Sequence, residues 1–527
     1  MRRHKASQTT KRRAMQGDGG HSATPRFDNY RLSAAGALVA LAIGFLTIGF
    51  ASPAQAIPSF ARQTGQPCGT CHTDFPALTP YGRRFKLLGY TTGGGEFRTT
   101  PFSSKGAQDA RAEYEKMLGY VKSLPATSTT PEADRDYVPP ISMMAIVGYT
   151  HTQAPLTGAD PYSANNNVVL SPFSAFYGGA ITDNIGAFAQ VTYNAVPPGG
   201  FGDPFGHTWT WDNTDVRYAS TARIGSLDLI YGITANNNPT VQDVWNTTPA
   251  WSFPYAASTI LGPQGHFTAI EGAFAAHVGG VGAYTFINDL LYLELTGYKT
   301  LGFSQQNALG TDPFGEPGPL GSVAPYWRIA LEPHWGRNTW MFGAFGAQFN
   351  VHPWVDTSFA TWSTSVFPQT DKFTDIGFDT QYQYQGDNYW LTLRASYIRE
   401  FQQLDASFLN ASASNPTDQL NSLKLQASFA YGADNRVVFT GQYFNQWGTA
   451  DMSLYGADPV TGAASTPNTN GFMTEIAYIP FGASKMIGWP WFNARIGLQY
   501  TYYNKLNGTT VAAHDNNTLF LHAWFAM

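Results

Sequence analysis

Cysteine is almost missing from this chain: two in 527 residues, Cys68 and Cys71. A four-ligand zinc site of paired cysteines is excluded, because no second Cys pair exists. A disulfide framework is excluded too if these two are engaged elsewhere. Charge is also scarce. Asp, Glu, Lys and Arg make up 13% of the chain, against 15% aromatic residues. The formal charge is −5, and removing residues 1–56, with their eight Lys/Arg and two Asp, takes it to −11. An acidic balance of this kind argues against a nucleic-acid partner. Beyond residue 56 no apolar run approaches the roughly 20 residues a membrane helix needs. Low charge, many aromatics, 53 glycines and no such helix point to a β-barrel in an outer membrane.

The start of the chain reads as an export signal. Basic residues from Arg2 to Arg31 precede an uncharged, mostly apolar run from Leu32 to Phe50 and a small-x-small site, Ala54-Gln55-Ala56. Residues 1–56 are therefore expected to be a signal peptide, with 57–136 a small haem domain and linker and 137–527 the barrel.

The two cysteines fall in Cys68-Gly69-Thr70-Cys71-His72, the C-x-x-C-H attachment signal of a c-type haem. The thiols add across the two porphyrin vinyl groups, and the histidine is placed to ligate the iron. A redox dithiol would not require the trailing His. The expectation is one covalent haem c held by Cys68, Cys71 and His72. Around the motif, Phe60, Phe75, Leu78, Tyr81 and Phe85 can cover the porphyrin faces. Arg62, Arg83, Arg84 and Lys86 can meet its propionates, or can simply form an exposed polar face.

The sixth iron ligand stays open. Met117 is the only methionine between residues 57 and 140, on a helical pattern near Asp109–Ser123, and it can equally be core filler. Met143, Met144 or a lumen-facing histidine are the other options, as is a site with no sixth protein ligand. A Pro-, Thr- and Ser-rich linker follows, from Leu124 to Pro140.

From Ile141 onward, segments of roughly ten residues alternate apolar and polar side chains, as strands do with one face in lipid and one in a lumen. Leu423, Leu425, Ala427, Phe429 and Tyr431 alternate with Lys424, Gln426, Ser428 and Ala430; Ile496, Leu498 and Tyr500 alternate with Arg495, Gly497 and Gln499. A soluble sandwich would carry apolar residues on that second face. Tight turns, as at 182–184, 336–338, 386–388 and 432–435, alternate with long loops, as at 236–265 and 302–324. The pattern predicts an all-β transmembrane barrel of about 16 strands with periplasmic turns and outer loops. Asp160, Asp203, Asp312 and Glu316 lie in those loops as potential oxygen ligands, or as ordinary solvated acids. No catalytic triad or hydrolytic carboxylate pair is evident.

The haem stretch resembles the fused outer-membrane monohaem cytochrome–porins of iron-oxidising bacteria. The resemblance is carried by Pro58-Ser59-Phe60-Ala61-Arg62-Gln63-Thr64-Gly65, by Cys68, Cys71 and His72, by Pro76-x-Leu78-Thr79-Pro80-x-Gly82-Arg83, and by Phe85-Lys86-Leu87. The segment from Asn237 to Trp251 is also similar to that family. What the resemblance implies is oxidation of extracellular ferrous iron, or another external donor, through one haem to a periplasmic cytochrome: an iron:cytochrome c oxidoreductase. One haem is smaller than the roughly 25 Å apolar band, so the haem segment is expected to sit in the lumen as a plug. A porin-like substrate channel with a haem plug or sensor is the alternative.

Overall fold

The structure is a computed structural model that describes residues 58–64, 66–91, 140–156, 162–195, 208–313, 317–353, 369–432, 436–481 and 490–527. The export signal, the helix expected near Asp109–Ser123 with Met117, and the linker lie outside the described residues.

Sixteen long antiparallel strands close on themselves among the described residues. They are β1 (Ile141–Thr152), β2 (Asn167–Ala180), β3 (Ile185–Tyr193), β4 (Trp209–Ile224), β5 (Leu227–Asn236), β6 (Val278–Ile287), β7 (Leu291–Thr300) and β8 (Ala324–Leu331) in the first half. The second half comprises β9 (Asn338–Val351), β10 (Asp371–Gln385), β11 (Tyr389–Gln403), β12 (Thr417–Tyr431), β13 (Arg436–Gly448), β14 (Thr469–Ile479), β15 (Asn493–Lys505) and β16 (Thr518–Ala526). Each strand pairs with its sequence neighbour, and β16 returns to β1 with Thr518 opposite Thr152 and Ala526 opposite Met144. A closed ring leaves no unpaired edge, which is the condition for crossing lipid with strands. Among the described residues no helix is long and apolar enough to cross a membrane.

The expected alternation holds. On β12, Leu425, Phe429 and Tyr431 are exposed while Gln426, Ser428 and Ala430 are buried; on β15, Ile496, Leu498 and Tyr500 face out and Arg495 and Gln499 face in. Near the short turns, Trp340 and Tyr382 lie 5.9 Å apart, as do Tyr384 and Tyr389, and Tyr389 approaches Phe429 at 5.4 Å. These rings form part of an aromatic girdle at one membrane interface. The closed ring, the apolar outer face and the girdle make this a barrel of the Gram-negative outer membrane.

Short connections at 181–184, 225–226, 288–290, 332–337, 386–388 and 432–435 share one end with both barrel termini. Longer loops occupy the other end, including one at 506–517 that the alternation of turn signals did not reveal. Two further points differ from the pattern read in the sequence. The connection after β14, residues 480–492, is long although it lies at the short-turn end. The loop after β5 runs to residue 277, and it is not an open outer loop. Val241, Val244, Trp245, Phe253, Ile270 and Phe274 within it are almost fully buried, so it folds back into the lumen. A lumen filled in this way is not wet throughout: inward-facing Arg217, Arg328 and Arg495 are 0–2% exposed and neutralised by carboxylates.

Candidate functional site

The segment carrying the two cysteines folds as three short helices, α1 (Pro58–Thr64), α2 (Cys68–Cys71) and α3 (Pro80–Leu87), with a two-residue hairpin between α2 and α3. Local sequence explains the start of α3. Pro80 occupies the first helical position, where its missing N–H costs nothing. Thr79 caps the helix: its hydroxyl accepts from Gly82 N at 3.2 Å and donates to Thr70 O at 2.6 Å. Thr79 N also donates to Cys71 O at 2.9 Å, so the cap fastens α3 to the haem motif. Gly82 allows the approach, since a Cβ there would collide with the Cys71 carbonyl. Gly82→Ala is therefore expected to push α3 away from α2. Limited proteolysis should then cleave between residues 58 and 91 faster than in the unaltered protein, with the barrel intact; equal rates would show that the contact is relieved by a small shift.

This segment is fixed to the barrel at the short-turn end, around the ring. Ser59 N donates to Ser142 Oγ at the start of β1 (3.0 Å), and Gln63 Oε1 accepts from Ala180 N at the end of β2 (2.8 Å). Arg84 pairs with Asp289 in the β6–β7 turn, and Arg83 Nε lies 3.0 Å from Glu332 just after β8. Arg83 also donates to Gln383 Oε1 on β10 (2.7 Å). Two wall arginines grip the loop after the motif. Arg436 of β13 donates to the carbonyls of His72 (2.6 Å) and Thr73, and Arg495 of β15 donates to Phe75 O (2.7 Å) and pairs with Asp74 at 3.4 Å.

Three of the four bases weighed for the propionates are thus used otherwise. Arg83 and Arg84 pair with Glu332 and Asp289, and Arg62 donates to Ile141 O. Lys86 does line the cavity beside the motif, with Nζ donating to the carbonyls of Val241 (2.7 Å) and Asp243 (2.8 Å) and lying 4.6 Å from the Trp251 ring.

That cavity measures about 300 Å³, or about 1550 Å³ counting all unfilled space to its solvent opening. Cys68, Cys71 and His72 all line it. So do the expected covering residues Phe60, Phe75, Leu78 and Phe85, whereas Tyr81 is buried elsewhere. The rest of the wall comes from distant sequence: Met144 on β1, Phe176 on β2, Phe188 on β3, Trp524 on β16, and Trp251 and Tyr255 from the infolded loop. Phe60 stacks on Tyr90 (5.5 Å), Phe188 meets Trp251 edge-on (5.7 Å), and Phe75 bridges His72 (5.3 Å) and Trp524 (4.7 Å). The infolded loop includes the Asn237–Trp251 segment noted in the sequence. It is tied down by Asn246 Oδ1, which accepts from Leu78 N at 3.0 Å.

The residues fit a covalently bound porphyrin. The two cysteines are not joined in a disulfide and lie one turn of helix apart, beside unfilled space. His72 Nδ1 lies 3.1 Å from Pro76 O, a contact that holds the neutral tautomer and leaves Nε2 as the ligating nitrogen. Burial pushes the His72 imidazole down to about 4, so it is unprotonated near neutrality. Trp524 carries a buried indole N–H without an acceptor among the described residues, a donor available to an anionic substituent.

Burial, and then the nearby Arg217 guanidinium, push the Lys86 ammonium down to about 7, against the pull of Asp215, Asp243 and Glu294. Between about pH 7 and the ordinary lysine value of about 10.4, the unfolded chain binds a proton that the folded chain has released. Stability is expected to rise across that window and to be flat below it. Thermal unfolding at pH 7 and 10 checks this; Lys86→Met should lose the dependence.

Of the acids weighed as iron ligands, Asp160, Asp203 and Glu316 lie outside the described residues, and Asp312 sits in the loop after β7, near His277. Among the described residues no group of three or more His, Cys, Asp or Glu is placed to hold a metal ion. Met144 was among the residues weighed in the sequence; Phe176, Phe188 and Trp524 were not, and being inward-facing and apolar does not single them out, since Tyr284, Phe345 and Phe349 on other strands are so too.

No family model matches the chain, and no curated protein matches it. Solved structures are similar in architecture only. Salmonella typhi OmpF in complex with daunomycin is 12% identical, covers 73% of this chain and 97% of its own, and has a TM-score of 0.40. Pseudomonas putida OprB is 10% identical, with 73% and 92% covered and a TM-score of 0.38. OmpT expressed in the outer membrane of Vibrio cholerae is 10% identical, with 73% and 96% covered and a TM-score of 0.36.

Proposed function

We propose that this chain is an outer-membrane electron-transfer protein that takes electrons from an extracellular donor, ferrous iron, and delivers them to a periplasmic carrier. The observation that carries the reading is the position of Cys68, Cys71 and His72 in a cavity within the barrel wall, not on a tether outside it. A haem bound there would supply a one-electron couple inside the membrane barrel.

The chain's own residues have definable parts in this. Cys68 and Cys71 would anchor the group, and His72, oriented through Pro76 O, would hold its iron. The aromatic walls exclude water, which raises the cost of charge at the site and favours a higher potential. Lys86 and Trp524 offer donors for its carboxylates. Arg436 and Arg495 fix the loop that follows His72, so the group would be held in one position relative to the wall. The segment faces the short-turn end, where a periplasmic cytochrome would dock. Ferrous iron as donor rests on the family resemblance of the haem stretch and on chemistry: oxidising iron outside leaves the insoluble ferric product there.

The test is anaerobic addition of ferrous iron to the purified protein. Rapid reduction in the visible spectrum, followed by reoxidation with a soluble c-type cytochrome, is expected; no reduction would sink the proposal. A solute channel is the second reading, favoured by the strand number, which in porins leaves an aqueous pore. Liposome flux separates the two. The electron-transfer reading expects background flux that rises when residues 57–136 are deleted.

A further inference from the structure

The geometry points to Met144 as the sixth ligand of the haem iron, contributed by the barrel wall and not by the haem segment. This rests on the haem reading above. On β1, the even-numbered side chains face the lumen: Ser142 is buried and bonded to Ser59, and Ile146 is buried against Phe520 and Trp524. Met144 lies between them in the same register. It lines the cavity that holds Cys68, Cys71 and His72, and packs both against the Phe85, Tyr90, Phe176 and Phe188 cluster, which also lines it, and against the Ile146, Ala256, Phe520 and Trp524 cluster, of which Trp524 reaches it.

The other groups lining that cavity that can ligate iron are committed elsewhere. Lys86 Nζ donates to two carbonyls. Tyr90 OH donates to Asp215 Oδ2 at 2.7 Å, and Tyr255 OH accepts from Arg394 at 2.9 Å. Met143 also lines the cavity but sits on the outward register of β1 and is 40% exposed. Among the described residues, His72 is the one histidine in the lining. A thioether opposite an imidazole raises the potential of a c-type haem, as an acceptor for a weak reductant requires. Such a ligand would also join the haem segment to β1 through the iron.

The experiment uses the full-length protein in detergent, as the unaltered chain and as Met144→Leu, Met144→His and Met117→Leu. Covalent haem is measured on denaturing gels, barrel folding by heat-modifiable mobility, and ligation by the methionine–iron charge-transfer band of the oxidised form. The unaltered chain and Met117→Leu should show the band. Met144→Leu should keep covalent haem, lose the band and bind carbon monoxide when reduced. Met144→His should show a bis-histidine spectrum and a lower midpoint potential. A band that survives Met144→Leu, or vanishes in Met117→Leu, overturns the assignment while leaving the haem reading intact. No band in the unaltered, haem-loaded protein also overturns it. An unaltered chain with no covalent haem overturns the haem reading itself.

Discussion

The Cys68→Ser/Cys71→Ser protein is expected to reach the outer membrane as a folded barrel with no covalent haem and no reduction by ferrous iron. The physical basis is that the proposed haem would lose both of its thioether bonds while almost no packing is lost. Ser is smaller than Cys by a sulfur-to-oxygen change, and the contacts that fix the segment belong to other residues. Thr79 ties α3 to the motif, Arg495 holds Phe75 O, and Arg83 pairs with Glu332. Haem staining after denaturation reads the covalent bond, and gel mobility with and without heating reads the barrel. The companion His72→Ala should differ in kind: haem stays attached through the cysteines, but the spectrum changes and iron-dependent reduction is lost. Haem staining that persists in the double serine variant would show that the motif is not the attachment site. Loss of the barrel along with the haem would show that the group is part of the fold.

Arg328→Met carries the largest expected effect on stability. Arg328 of β8 lies 2.6 Å from Asp379 of β10 and 3.5 Å from Asp243 of the infolded loop, with all three side chains fully buried. Asp243 in turn accepts from the backbone N–H groups of Trp245, Thr247 and Thr248, so it shapes the turn that roofs the cavity. Methionine matches the length of the stem but leaves two carboxylates buried and uncompensated. Removing one partner of a buried pair costs about 3–5 kcal/mol. The heat-modified transition on gels should move to lower temperature, and tryptophan fluorescence should report a disturbed Trp245, which lies under the guanidinium at 5.1 Å. Adding Asp379→Asn to Arg328→Met should recover part of the loss, because one stranded charge is gone. An Arg328→Met protein as stable as the unaltered chain would mean the two acids are hydrated or protonated in the lumen.

Much of the architecture was legible because it is encoded locally. Alternation along each strand is a period-two signal, and Leu425, Phe429 and Tyr431 against Gln426 and Ser428 read the same way in sequence as in the barrel. Counting such segments predicts about 16 strands, give or take two, and the barrel has sixteen long ones among the described residues. The haem motif is equally local, five consecutive residues whose chemistry does not depend on the rest of the chain. The loop after β5 was not legible. Its residues Val241, Val244 and Trp245 are apolar in an otherwise loop-like stretch, but nothing in one sequence states that a loop folds inward. The fates of Arg83 and Arg84 were hidden for the same reason: Glu332 and Asp289 lie more than two hundred residues away, and the Ile141 carbonyl that Arg62 meets is 79 residues on.

Taken alone, the order of amino acids determined the strands with two unlike faces, and it motivates the proposal that residues 68–72 are a c-type attachment signal. Those properties follow from backbone geometry and side-chain chemistry within a few positions. Folding decided where the pieces meet. Closure of β16 on β1 brings Trp524 beside Met144, and the infolded loop brings Trp251 and Tyr255 against the haem motif. A cavity wall built from the first and last strands and a loop more than a hundred residues from the motif has no local sequence period, because its members are neighbours only after the sheet has closed.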